Sequence, residues 1–184
     1  MTELNDQVFV RECLDGNREA FGVLIGRHQQ AVFNVALRLT RSFQEAQDIT
    51  QSVFIKAYEK LSEYDARYKF FSWIYRMAMN EALNFIKRSR RFEGLDVTQD
   101  YPALEQTPES DLEESEMSRK IQNALMRLKV DYRAIIILKH FQELSYQEIG
   151  YILGLPEKTV KSRLFSARQM LKQVLLKQGY VENA

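Results

Sequence analysis

The chain has 184 residues, of which 45% are hydrophobic and 28% charged, and this length allows one domain or two small ones. No run of 18 apolar residues occurs, so no transmembrane helix is expected, and the single Cys13 excludes an internal disulfide framework. The first residues, MTELNDQVFVREC, are acidic and polar and predict no signal peptide. Because Cys13, His28 and His140 are the only soft ligands, we expect no metal site and no cofactor, and a reducing cytoplasm fits.

The formal net charge of +1 hides an uneven distribution. Residues 1–92 carry +3, residues 93–118 carry −9, and residues 119–184 carry +7. This pattern predicts two modules that face a polyanion, joined by an acidic tether that does not. Helix-forming residues dominate and strand-like alternation is nowhere sustained. We therefore predict an all-α fold of two small helical domains, 1–92 and 118–184, joined by a flexible acidic linker over 93–117.

Three helices are predicted before the first loop. The first covers residues 6–14, and Asn17 is expected to cap the second, over residues 18–40, where His28 lies on the apolar stripe as a core-edge histidine. A capping box, SFQE, opens the third helix, which runs to about residue 63. The apolar surface of that helix extends over a second edge, so it is wider than expected for a helix that buries only one side. Packing inside a bundle and docking of another protein explain this edge equally well; the edge residues are Phe54, Ile55 and Tyr58.

Residues 64–71, YDARYKFF, are predicted to be a loop rich in aromatic and basic side chains, followed by a helix to about residue 91. That helix buries Trp73 and ends in the cationic run KRSRR. Aromatic rings and cations that lead into a basic helix are typical of single-stranded nucleic-acid binding, where bases stack and phosphates meet Lys and Arg.

The last part of the chain predicts a helix-turn-helix. Ser145 and Glu148 have the spacing of a capping box, Gly150 allows close approach of the second helix, and Gly154 supplies the turn. In the second helix, an apolar stripe steps by four and three residues, and the opposite face is polar and basic with one exposed aromatic. A solvated helix would also turn Lys and Arg outward, but the whole unit favours insertion into the DNA major groove.

Four stretches in this order resemble the extracytoplasmic-function (ECF) sigma factors, the compact two-domain sigma subunits of bacterial RNA polymerase. EAFGVLIGRHQQAVFNVALRLT resembles the first core helix, and EAQDITQSVFIKAYEKL resembles the polymerase-docking helix. KFFSWIYRMAMNEALNFIKRSRR resembles the segment that opens and reads the minus-10 element, and LSYQEIGYILGLPEKTVKSRLFSAR resembles the minus-35 reader. The resemblance covers nearly the whole chain except the acidic segment.

The resemblance implies roles for individual residues. The surface that docks the clamp helices of the largest polymerase subunit would hold Asp48, Gln51, Phe54 and Tyr58. The minus-10 DNA would be captured and held by Arg67, Lys69, Phe70, Phe71, Ser72, Arg76, Asn80, Lys87, Arg88 and Arg91. The minus-35 DNA would be bound by Lys158, Thr159, Lys161, Ser162, Arg163, Phe165, Ser166 and Arg168. The implied partners are the core polymerase, including the flap of its second largest subunit, promoter DNA, and an anti-sigma or other recruitment factor.

Two positions depart from the pattern of the family. Many members have Gly where this chain has Lys158, and many have Arg where it has Ser166. A bidentate contact between Arg and guanine contributes about 1–3 kcal/mol of discrimination. We therefore expect minus-35 recognition to be altered or weak, and another DNA-bound factor to assist recruitment.

Two other function classes compete with the promoter-specificity subunit. A stand-alone helix-turn-helix regulator would bind duplex DNA without polymerase, but it would not need the aromatic, basic segment 64–91. An enzyme is disfavoured, because no nucleophile–base pair and no Gly-rich phosphate loop is evident in the sequence.

Overall fold

The computed structural model describes residues 3–93 and 116–179, with side chains over 6–89 and 116–179. Every regular element in these ranges is a helix, and the predicted all-α class is confirmed. The acidic linker predicted at 93–117 falls almost entirely outside the described residues. Within the described ranges, no helix combines the length and apolar character needed to cross a bilayer.

In the described ranges, four α-helices belong to the N-terminal unit and four to the C-terminal unit. The N-terminal helices are α1 (Glu3–Leu14), α2 (Glu19–Thr40), α3 (Phe43–Glu59) and α4 (Phe70–Glu93), with a 3₁₀ turn at Leu61–Glu63. The C-terminal helices are α5 (Glu116–Met126), α6 (Val130–Ile136), α7 (Tyr146–Leu153) and α8 (Glu157–Lys177). Helix α6 continues into a π-helical turn at Ile137–Phe141.

The helix starts agree with the sequence in part. Ser42 caps α3 as predicted, since its side chain accepts from Glu45 N. Asn17 does not cap α2; its amide donates to Glu12 in α1, and Arg18 occupies the N-cap without a side-chain bond. Helix α4 begins at Phe70, so the predicted loop is two residues shorter than its sequence suggested.

Asp6 fixes the first helix on the second. Its carboxylate is buried and accepts from Arg27 at 2.9 Å, and it lies 2.8 Å from His28 Nε2. His28 lies at the edge of the core, as predicted, and its ring also contacts Phe70 at 5.5 Å between centroids. A buried carboxylate is costly unless it is paired, so both partners are needed at this site.

One cluster of buried apolar side chains runs through both units. In the N-terminal unit α2, α3 and α4 pack on one another, and Trp73 is buried at 8% exposure, as predicted. Tyr75 and Met79 are also buried, on the same face of α4 as Ala82 and Ile86. Helix α7 of the C-terminal unit also packs against α4.

Arg133 is the largest fully buried side chain, and it connects the two units. Its guanidinium donates to the carbonyl oxygens of Leu125, Met126 and Leu128, at the end of α5, at 3.1–3.2 Å. It also donates to Leu39 O, near the end of α2, at 2.6 Å. Helix C-termini leave carbonyl groups unsatisfied and carry partial negative charge. The buried cation is therefore compensated by backbone from both units.

The helix-turn-helix is formed as the sequence predicts. Ser145 and Glu148 make both hydrogen bonds of the capping box, and Gly154 ends α7 in the left-handed region at φ 66°. A Cβ on Gly150 would lie 2.7 Å from Leu155 O, which belongs to the backbone of the turn. The same Cβ would lie 3.8 Å from Val160 Cγ2. Helix α7 therefore approaches both the turn before α8 and α8 itself at Gly150.

Gly150→Ala should destabilise the C-terminal unit, because the backbone carbonyl of Leu155 cannot move aside as a flexible side chain would. Overpacking of this kind costs about 1–3 kcal/mol, and thermal denaturation followed by circular dichroism should show a lower midpoint. Gly22→Ala is the matched control, since Gly22 lies in α2 and nothing surrounds its Cβ position within 4 Å. That control should be neutral or stabilising by up to about 1 kcal/mol; equal midpoints for the two variants would contradict the close approach.

Candidate polymerase and nucleic-acid interfaces

The outer face of α3 carries an exposed polar and apolar surface. Asp48 and Gln51 are exposed, Tyr58 is 43% exposed, and Ile55 is 60% exposed. Asp48 accepts from Gln44 one turn earlier at 3.3 Å. Ile55 and Tyr58 lie about one turn apart and form a small apolar area on this face.

Phe54 does not belong to this exposed surface. Its ring is 7% exposed and packs edge-on against Phe21 of α2, with the centroids 6.5 Å apart. The sequence-based docking assignment of Phe54 therefore needs correction, because a side chain in the core cannot present itself to a partner. Ile55 is the exposed apolar residue beside it.

The loop before α4 is held by local polar contacts. Arg67 is exposed and donates from Nε and Nη2 to Asp65 at 2.8 and 2.6 Å. This hydrogen bonding lowers the pKa of Asp65 and raises that of Arg67. Tyr64 donates to Tyr68 O at 2.5 Å, which closes the loop on itself. The loop thus projects Arg67, Tyr68 and Lys69 outward.

Helix α4 has an exposed basic face. Arg76, Asn80, Lys87 and Arg88 are exposed along it, while Phe71 is half-buried and meets Tyr75 edge-on at 5.8 Å. The side chain of Arg91, assigned to the same DNA, lies outside the described residues. A row of cations along one helix face suits a phosphate backbone.

Phe70 and Ser72, both predicted to bind minus-10 DNA, are each 2% exposed. Phe70 packs among His28, Tyr64 and Trp73, so it is a core residue and not an accessible stacking surface. The Ser72 hydroxyl is buried without a hydrogen-bond partner in the described part of the chain. These two assignments therefore do not describe accessible groups in this conformation.

Helix α8 has the two faces that the sequence predicts. Val160, Leu164 and Ala167 are buried, and Leu171 and Val174 are half-buried. The accessible face carries five exposed side chains and three half-buried ones. The exposed ones are Lys158, Lys161, Ser162, Phe165 and Arg168, and the half-buried ones are Thr159, Arg163 and Ser166. Phe165 is 64% exposed, so packing within the described residues does not explain why an aromatic side chain stands at this position.

Two cations on this face already have partners. Lys161 pairs with Glu157 at 2.7 Å, one turn earlier. Arg168 donates to His140 Nε2 at 3.1 Å. Burial, together with the charges of Arg168 and Lys139, lowers the pKa of His140, so the neutral ring can accept this hydrogen bond. Arg168 is thereby oriented from the end of the π-helical turn.

Helix α7 covers the loop before α4. Tyr151 stacks on Tyr68 with the ring centroids 3.8 Å apart and the planes 19° apart. The Arg76 guanidinium lies 5.1 Å from the centroid of the Tyr151 ring. Lys69 Nζ pairs with Glu148 Oε1 at 3.0 Å. The surface that the sequence predicts to bind minus-10 DNA is therefore partly covered by the C-terminal unit, whereas the accessible face of α8 is not.

Further contacts hold the two units in this arrangement. Tyr75 donates to Gln142 Oε1 at 2.6 Å, and burial raises the pKa of Tyr75 to about 12, so its hydroxyl stays protonated. Gln122 donates to Arg38 O at 2.9 Å, and the Arg38 guanidinium lies 4.0 Å from the centroid of Phe141. No pattern in the sequence predicts these contacts between the units. For the contact between Tyr151 and Tyr68, the sequence does hold one indication, because Tyr151 is an aromatic residue on the polar side of α7.

Comparison with known families and proteins agrees with this architecture. The family described as Sigma-70 region 2 matches residues 24–92, and Sigma-70 region 4 matches residues 118–171. The RNA polymerase sigma-H factor of Pseudomonas aeruginosa is 32% identical over 95% of this chain and 96% of its own length. The ECF RNA polymerase sigma factor SigW of Bacillus subtilis is 31% identical over 90% of this chain and 94% of its own length.

Solved structures share the arrangement of both units. CnrH in complex with the cytosolic domain of CnrY has a TM-score of 0.70 at 24% identity, covering 92% of this chain and 96% of that one. The sigma factor RpoE in complex with the anti-sigma factor NepR from Bartonella quintana has a TM-score of 0.66 at 24% identity. It covers 84% of this chain and 96% of its own. With matches to both conserved regions and relatives above 30% identity over nearly their full length, the chain belongs to the ECF sigma factors of RNA polymerase.

Proposed function

We propose that this sigma factor directs core RNA polymerase to its promoters through three surfaces, and that it has no catalytic activity of its own. Residues 1–92 would dock the polymerase and open the minus-10 element, residues 93–117 would act as a tether, and residues 118–184 would read the minus-35 element. Because it works on the core polymerase, the protein would act in the cytoplasm. The observation that carries the proposal is the presence of two separate cationic faces, on α4 and α8, beside an exposed docking face on α3.

The docking surface would be formed by Asp48, Gln51, Ile55 and Tyr58 against the clamp helices of the largest polymerase subunit. Ile55 and Tyr58 supply apolar area, and Asp48 and Gln51 supply polar contacts at its edge. A buried apolar centre with a polar rim is the usual composition of a protein interface. The flap of the second largest subunit would contact the C-terminal unit.

Ile55→Asp should weaken binding to core polymerase about tenfold or more, because an unpaired carboxylate buried in an apolar contact costs more than about 1.4 kcal/mol. The measurement is co-purification and fluorescence titration with core enzyme. Val8→Asp is the control, since Val8 is an exposed apolar residue on α1 at 42%. Undiminished binding by the Ile55 variant, with normal helicity, would exclude this docking face.

The minus-10 element would be bound by the loop of residues 64–69 and the outer face of α4. Arg67, Lys69 and Asn80 would capture an extruded non-template base, and Arg76, Lys87 and Arg88 would hold phosphates. Extrusion of a base costs a few kcal/mol, which contacts in this region must offset. Phe71 would contribute from its half-buried position, and Arg91 would extend the same row of cations.

Asn80→Ala should leave polymerase binding intact and reduce open-complex formation about tenfold, the effect of losing one hydrogen bond of about 1.4 kcal/mol. The measurement is permanganate reactivity of unpaired thymines in a promoter complex. Asn34→Ala is the control, because Asn34 is an exposed Asn on α2. Equal melting by both variants would remove Asn80 from the minus-10 site.

The minus-35 element would be read by α8 in the major groove. Lys161, Ser162, Phe165 and Ser166 would face bases, and Arg163 and Arg168 would position the helix on phosphates. Thr159 and Lys158 would contact the DNA from the first turn of the helix. Since Ser166 lacks the bidentate donors of an Arg, recognition at this position would be weak.

Selection from a randomised minus-35 region with the purified holoenzyme should return a poorly defined consensus, and Ser166→Arg should sharpen one position, towards G. A single good bidentate contact adds about 1–3 kcal/mol of discrimination. Gln173→Arg is the control, since it adds the same charge at an exposed position later in α8. A strong, well-defined consensus for the unaltered protein would contradict weak recognition.

An anti-sigma or recruiting partner is also part of the proposal. RpoE from Bartonella quintana, which shares this fold, was solved with the anti-sigma factor NepR. A partner of the same kind would bind this chain.

A further inference from the structure

Helix α7 presents to the loop before α4 the same two chemical groups that a nucleotide would present, a flat ring and an anion. Tyr151 presents a flat ring stacked on Tyr68 at 3.8 Å, and Glu148, three residues earlier, presents an anion to Lys69 at 3.0 Å. Residues three apart on a helix have Cβ atoms about 5–6 Å apart, so the ring and the anion lie side by side. An unpaired nucleotide likewise offers a flat base and a nearby phosphate.

The side of the contact contributed by the N-terminal unit is suited to such a ligand. Tyr68 is 40% exposed even with Tyr151 stacked on it, so its ring is an accessible platform. Arg76 lies 5.1 Å from the centroid of the stacked ring, and Lys69 lies 5.4 Å from the centroid of Phe71. Aromatic platforms beside cations bind single strands with little dependence on sequence, because every base has a π-face.

Glu148 carries charge in this contact. Burial raises its pKa, but hydrogen bonds from Ser145 and Lys69 outweigh that effect and hold the pKa below its usual value. The carboxylate is therefore ionised at neutral pH, as a phosphate would be. It is oriented by the capping box, in which Ser145 donates from both its backbone and its side chain.

The compact chain cannot grip both promoter elements at once. The minus-10 and minus-35 elements are named for positions about 25 base pairs apart, which corresponds to about 85 Å at 3.4 Å per base pair. A compact chain of 184 residues has a radius of gyration of about 16 Å and hence a diameter of about 40 Å. The contact between α7 and the loop must therefore break before the holoenzyme engages a promoter.

We propose that Tyr68, Lys69 and Arg76 form a subsite for one nucleotide of the unpaired strand, and that Tyr151 and Glu148 occupy this subsite in the compact chain. The base stacks on Tyr68, and its phosphate meets Lys69 and Arg76. This inference rests on the proposed minus-10 function of the same surface. It adds Tyr68 as the stacking platform and makes α7 a competitor of the DNA strand.

The test measures binding of a fluorescent, mixed-sequence single-stranded 12-mer to the full chain without polymerase, by anisotropy. Tyr151→Ala combined with Glu148→Gln should bind about tenfold more tightly than the unaltered chain, because the competitor is removed while Gln can still serve in the capping box. Adding Tyr68→Ala to this variant should abolish the gain. Tyr146→Ala is the control, since Tyr146 lies on the same helix and its ring meets Lys139 and Lys161 within the C-terminal unit.

Unchanged affinity in the Tyr151 and Glu148 variant, with normal helicity, would overturn the inference. An equal gain with and without Tyr68 would overturn the assignment of Tyr68 as the platform. A parallel transcription assay with core polymerase separates this inference from the proposed function. If the unaltered holoenzyme initiates at promoters while the anisotropy result is negative, only the inference fails; if that holoenzyme does not initiate, the proposed function fails.

Discussion

The buried guanidinium of Arg133 is the interaction on which the arrangement of the two units depends. It donates to three carbonyl groups at the end of α5 and to Leu39 O of α2. A fully buried cation is tolerated only where its donors are satisfied. Separation of the units would remove the Leu39 contact and expose the site to water, which can replace the lost acceptor. Arg133 thus stabilises the compact arrangement without making it irreversible.

The same arrangement determines which functional surfaces are accessible. The basic face of α8 and the outer face of α3, which are the candidate DNA-reading and docking surfaces, point to solvent. The loop before α4 is instead covered by α7, through Tyr151 and Glu148. Tyr75 lies at the same junction between the units, where its hydroxyl donates to Gln142 Oε1.

The sequence predicted what depends on local patterns. Spacing and residue type are enough to predict the all-α class, the capping boxes and glycines of the helix-turn-helix, and the two faces of α8. The order of the four motifs is enough to predict the family. The sequence failed where the outcome depends on contacts between distant parts of the chain. Phe54 and Phe70 were assigned to surfaces, yet both are core residues because α2 and the loop pack against them. Arg133 gave no periodic signal, since its partners are backbone carbonyls 5 to 94 positions away.

The exposure of Phe165, together with the coverage of Tyr68, has a consequence for the order of events during transcription initiation. A free chain would be able to contact duplex DNA through α8, but the covered loop before α4 could not bind a separated strand. Strand capture would become available only after the large enzyme has pulled the two halves apart. An unbound chain would then not trap strands that separate transiently in chromosomal DNA, and strand capture would be confined to chains bound to polymerase.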